Sequence, residues 1–93
     1  SGIRIKILES MASGCPVVTT NIGIEGIDAE NEKEALISDD KDTFAKQIVQ
    51  LLDDYNYAQT IARAARQFVE INYDIENVTE SRIKIINELL THK

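Results

Sequence analysis

An α/β fold built on a short parallel sheet is what this chain of 93 residues predicts, and three observations carry the expectation. All four glycines and the single proline lie before residue 42, so turns and strands belong to the first part. Two short aliphatic and β-branched runs, Pro16-Val17-Val18-Thr19-Thr20 and Ala35-Leu36-Ile37-Ser38, read as strands. Helical apolar spacing precedes the first run and follows the second, and strand–helix alternation implies parallel pairing. Two strands among four expected helices make part of a doubly wound domain. The chain therefore reads as one fragment, 1–93, with a sheet-containing part over 1–41 and a helical part over 42–93.

Each element has its own signal. Ile5, Leu8, Met11 and Ala12 share one face of a helix over 5–12, and Gly14 is placed to end it in the left-handed conformation. Pro16 stands at a first strand position, where a missing N–H matters least. Residues 21–31 form a loop carrying Gly23 and Gly26, and the second strand is expected to be buried on both faces. Asp40 or Asp42 caps a helix with Phe44, Ile48, Leu51 and Leu52 on its apolar side. Asn56 and Gln59 resemble a capping box opening a helix with Tyr57, Ile61, Ala64, Ala65 and Phe68 along one side, ending near Asn72. Asp74 or Asn77 starts a last helix with the stripe Ile75, Val78, Ile85, Ile86 and Leu89. That stripe is long for a helix resting on two strands, which predicts either self-association through the C-terminal helix or a helix that frays with weak exchange protection.

Composition narrows the function classes. A 43% hydrophobic and 28% charged chain belongs with globular domains and excludes disorder. One cysteine cannot close an internal disulfide, and Cys15 reads as a small buried hydrophobe. Ten basic against sixteen acidic residues give a net charge of −6, a field that repels nucleic acid and anionic membrane. No apolar run approaches the ~20 residues of a membrane span, so a cytoplasmic chain is expected. Phosphate-loop, dinucleotide, nucleophile-elbow and cysteine–histidine metal motifs do not occur, so no catalytic residue, metal site or cofactor is assigned. His92 reads as a solvated end residue. Asp39-Asp40 could hold Mg2+, but helix capping accounts for the pair more simply.

The opening twenty residues stand out. A glycine-bearing loop runs into a helix with Glu9 on an early turn. Such an arrangement offers backbone N–H groups and a positive dipole end to an anion. A carboxylate accepts at both oxygens and suits the vicinal hydroxyls of a ribose, although an early glutamate also simply favours the helix dipole. The string Gly2-Ile3-Arg4-Ile5-Lys6-Ile7-Leu8-Glu9-Ser10-Met11-Ala12-Ser13-Gly14-Cys15-Pro16-Val17-Val18-Thr19-Thr20 resembles the C-terminal, donor-binding domain of family 4 (group 1) glycosyltransferases of GT-B fold. The resemblance continues through Ile24-Glu25-Gly26-Ile27, Leu36-Ile37, the Phe44 to Leu52 helix, Ala62-Arg63, Phe68-Val69 and Tyr73-Asp74-Ile75.

That resemblance implies a Rossmann-like fragment and a set of roles. Glu9 takes the place of the second glutamate of the family's E-x7-E element, which holds the donor ribose. At the first glutamate's place stands Ser1, a departure that leaves the donor-sugar contact unassigned. Loop amides that approach the donor sugar and diphosphate fall at Gly2, Ile3, Arg4 and Ile5, with Lys6 beside the diphosphate or simply exposed on the helix. Glu25 could reach the same place from its loop, or only serve the turn. The implied function is the nucleotide-sugar-binding part of a retaining glycosyltransferase. It would move a sugar from a nucleotide-sugar donor to a hydroxyl acceptor, without a cofactor. The acceptor domain lies elsewhere, so this piece alone is expected to be inactive. The alternative is a non-enzymatic α/β interaction module with the same helix–strand pattern.

Overall fold

The computed structural model describes residues 2–73 and Asn87. Its element order is α1 (Gly2–Ala12), β1 (Val18–Thr19), β2 (Leu36–Ile37), α2 (Lys41–Asp53) and α3 (Tyr55–Asn72). The expected last helix, with Ile75, Val78, Ile85, Ile86 and Leu89, lies outside the described residues. The two strands pair in parallel with Val18 opposite Leu36 and Thr19 opposite Ile37, confirming a mixed α/β arrangement. Backbone hydrogen bonds from Leu36 to the Val17 carbonyl (2.9 Å) and from Ser38 to that of Thr19 (3.0 Å) complete the ladder. Both strands are shorter than the runs that predicted them, because pairing covers only this stretch. In β2, Leu36 is fully buried and Ile37 on the opposite face is half-buried, so the expected burial on both faces is met on one of them.

Helix α1 begins at Gly2 rather than Ile5, so the expected loop over residues 2–5 is its first turn. It buries Ile7, Leu8 and Met11, while Ile5 and Ala12 are only half-buried. Its end is a Schellman motif. Gly14, at φ +78°, donates to Met11 (3.1 Å) and Cys15 to Ser10 (2.9 Å). This is the termination that Gly14 predicted. Cys15 emerges exposed, correcting the expectation of burial, because the motif turns it outward past the helix end.

Helix α3 packs along α1 and also against α2. Its inward stripe is Ile61, Ala62, Ala65 and Val69, with Tyr57, Ala64 and Phe68 half-buried beside it. Small residues let the two helix backbones approach, and Arg66 donates to the Ala12 carbonyl at 3.1 Å, satisfying an orphan acceptor at the end of α1. The helix starts earlier than predicted. Asp54, not Asn56, is the cap, accepting from the Tyr57 backbone at 3.0 Å. Burial pushes the Tyr57 hydroxyl above its ordinary pKa, with the charges of Glu32 and Asp54 adding to the shift.

Helix α2 contacts β1 and α3. Asp40 caps it, accepting from the Thr43 backbone (2.9 Å) and hydroxyl (2.7 Å). Its predicted apolar face is corrected. The helix turns Gln47 inward with Phe44 and Leu51 half-buried, leaving Ile48 and Leu52 exposed. The residues at 44, 47 and 51 make the line that meets the neighbours, and the polar Gln47 in its middle concealed that line from an apolar-periodicity reading. The Gln47 amide donates to Asn31 Oδ1 at 3.4 Å.

The loop after β1 also contributes to the core. Ile24 and Ile27 are buried with Ile7, Leu8, Met11, Ala35, Ala65 and Val69 in one cluster.

Candidate functional site

Because α1 returns into β1 through the Gly14 turn, the first turn of α1 lies toward the carboxyl end of β1. Helix α2 likewise starts just beyond the carboxyl end of β2. Open parallel sheets bind ligands at this end of their strands.

A groove of about 220 Å3 runs between α1 and β1, lined by Ile3, Lys6, Ile7, Ser10, Val17, Val18 and Thr19. Helical spacing explains the lining, since Ile3, Lys6 and Ser10 fall on one line of α1. Gly2, Ile5 and Glu9 fall on an adjacent line, and Glu9 is half-buried there rather than lining the groove. Two of the residues predicted for the site, Ile3 and Lys6, are thus brought together with β1, while Glu9 stands beside them. The turn of α1 nearest the start of the described residues is Gly2 to Ile5. The first turn of α1 carries no acidic residue.

Arg4 takes a different course. Its guanidinium lies over the backbone of Gly26, so close that a Cβ there would come within 2.6 Å of Nη2 and 2.8 Å of Cζ. Gly26 has φ +88°, in the left-handed region, and Ile24 and Ile27 anchor its loop in the core. Glu25 is exposed on the same loop. The loop's start is fixed by Asn21, which donates its backbone N–H to Asp39 Oδ1 and its side-chain amide to Oδ2, both at 2.9 Å. These bonds, the side-chain one foremost, hold the Asp39 carboxyl below the ordinary carboxylate range, and those from Thr43 do the same for Asp40. Both carboxylates of the Asp39-Asp40 pair are therefore engaged in bonds that organise the chain. A second groove, of about 260 Å3, lies against this pair and is lined by Thr20, Ser38, Asp39, Asp40, Lys41 and Phe44.

The sequence reading missed two features here: the seating of Arg4 on Gly26 and the bond pair between Asn21 and Asp39. A glycine inside a loop signals a turn, and only packing reveals what lies over it. Nothing local in Asn21 marks a partner eighteen residues away.

Known proteins place this arrangement in context. The family described as glycosyl transferases group 1 matches residues 1–54, a stretch that takes in α1, β1, β2 and α2. An "Uncharacterized 44.6 kDa protein in cps region" of Klebsiella pneumoniae is 32% identical over 84 residues, 90% of this chain and 22% of that protein. The chain spans about a fifth of that relative's length. No solved structure matches the chain. Among the described residues, no helix is long and apolar enough to cross a membrane.

Proposed function

The chain belongs to the group 1 glycosyl transferases, and from that premise we propose that it is the nucleotide-sugar-binding part of a retaining, GT-B-type transferase. The observation that carries this reading is the first turn of α1. It is free of acidic residues, contains Arg4, is followed by Lys6, and lies inside the matched segment. A diphosphate suits such a turn, since its charge meets both the helix dipole and N–H donors.

In the reaction, a sugar passes from the donor to a hydroxyl acceptor, and negative charge grows on the departing diphosphate. The turn from Gly2 to Ile5 and the cations Arg4 and Lys6 stabilise that charge, a contribution expected to dominate such chemistry. Glu9 accepts hydrogen bonds from the donor ribose and so positions the nucleotide without moving a proton. The acceptor and its site belong to chain beyond these residues, and residues 1–93 by themselves are inactive. On this reading the domain is Rossmann-like, with the sheet inside residues 1–41 and α2 and α3 following it.

Calorimetric titration of the full-length protein with nucleoside diphosphates tests the proposal. Wild-type protein is expected to bind one of them, and Glu9→Gln to weaken that binding about tenfold with an unchanged melting temperature, since one acceptor becomes a donor. Unchanged affinity in Glu9→Gln removes Glu9 from the site. Absence of binding by the wild type favours the non-enzymatic interaction module.

A further inference from the structure

We propose that Gly26 is a positioning residue, a seat without a Cβ that holds the Arg4 guanidinium beside the first turn of α1. The inference rests on the donor reading above and adds to it the device that keeps the cation in place.

Arginine on an exposed first turn has several rotatable bonds, and fixing such a side chain costs rotamer freedom. A cation that is already held gives up less of this freedom when an anion arrives. Here the hold comes from a surface rather than from a counter-ion. Among the described residues the ion pairs are Lys33 with Glu34 and Arg66 with Glu70, and neither involves Arg4. The guanidinium instead lies over Gly26, with Nη2, Cζ and Nε within 2.6, 2.8 and 3.1 Å of where a Cβ would stand. Among the described residues no carboxylate forms an ion pair with it there.

The seat is itself built. Ile24 and Ile27 flank Gly26 and are buried at 5% and 6% exposure, so the loop cannot lift without opening the core. Thr20 receives the Gly23 N–H on its hydroxyl at 3.0 Å and the Ile24 N–H on its carbonyl at 3.2 Å. The two bonds from Asn21 to Asp39 tie the start of the loop to the end of β2. A loop fixed at these points presents Gly26 to Arg4 as a rigid surface.

A side chain at Gly26 meets the movable end of Arg4 rather than backbone, so the clash is relieved by displacing the guanidinium. That makes a double-mutant cycle decisive, read by titrating the full-length protein with the nucleoside diphosphate it binds. Gly26→Ala is expected to weaken binding about tenfold in wild-type background and less than about twofold when Arg4→Ala is already present. Because φ +88° strains alanine, Gly26→Asn is made in parallel, placing the same Cβ with a residue that tolerates positive φ better. Equal losses with and without Arg4 overturn the seat while leaving the donor reading intact. Failure of the wild-type protein to bind any nucleoside diphosphate overturns both.

Discussion

Helices α1 and α2 both begin at the carboxyl end of the parallel pair, yet α1 starts with cations alone whereas α2 starts with Lys41 set between the carboxylates of Asp40 and Asp42. The start of α2 is closed by its own carboxylates, with Asp40 as the cap and Asp42 in the first turn. Its positive dipole end is already answered, and an incoming anion would meet two like charges. The start of α1 has no acidic residue and two nearby cations, Arg4 and Lys6. Two helix termini in equivalent places on a sheet are thus not equivalent as anion sites. The difference lies in two or three side chains, not in the backbone.

The helices also differ in how deeply they are embedded. Helix α1 buries three apolar side chains, whereas α2 buries only Gln47 and leaves Leu52 at 80% exposure. The largest effect expected from this contrast is on stability. Met11→Ala removes a side chain with no exposed surface and should cost about 2–5 kcal/mol in urea unfolding. Leu52→Ala, of similar size on paper, should stay within about 0.5 kcal/mol. A large loss at Leu52 would mean that the exposed side of α2 is covered by other chain in the folded protein.

A smaller effect sharpens the electrostatic side of the comparison. Lys6→Glu makes the start of α1 resemble that of α2 and should weaken nucleoside diphosphate binding about tenfold, a loss that shrinks with added salt. Asp40→Ala should lower the melting temperature by a few degrees through loss of the cap and leave affinity unchanged. If Asp40→Ala alters affinity as much as Lys6→Glu, the two termini act as one site and the contrast fails.

The smallest effect is the response to acid. Asp39 binds its proton more weakly when folded, its pKa lying below the ordinary 3.8 because of the bonds from Asn21. Its stabilising contribution is complete above the unfolded value and is lost as pH falls through the folded one. Asp39→Asn should therefore reduce the fall in urea midpoint between pH 7 and pH 3, with Asp40 supplying the part that remains. An identical acid limb in wild type and Asp39→Asn would show that the bonds from Asn21 do not persist in solution.

Features set by neighbours in the chain were legible beforehand. Gly14 ended α1 in the expected conformation, because a left-handed residue after a helix depends on glycine and little else. Asp40 capped α2 because its partner, Thr43, lies three residues on. Asp54 carries the same signal, its partner Tyr57 lying three residues on, whereas the capping-box pattern of Asn56 and Gln59 points two residues too far along. The candidate site was legible as a string, Gly2 to Lys6 with Glu9, but not as a shape. The string is one continuous helical turn and more, so its members divide between two lines of α1, and Glu9 falls beside the groove that Ile3 and Lys6 line.

By itself, the sequence determined the order of the described elements, the parallel character of the strand pair and the turn at Gly14, whereas the acid-free start of α1 came only with the structure, which begins that helix at Gly2. The first three depend on backbone geometry within a few residues, where each side chain's preferences act unopposed. Tertiary structure alone decided which side of α2 faces inward, that Ile24 and Ile27 belong to the core, and that Arg4 lies on Gly26. In each case several residues could have met the neighbour with comparable local energy. The choice went to the arrangement in which α1, the loop and α3 pack so that Met11 and Val69 have no exposed surface, and close packing is a property of the whole assembly rather than of any segment.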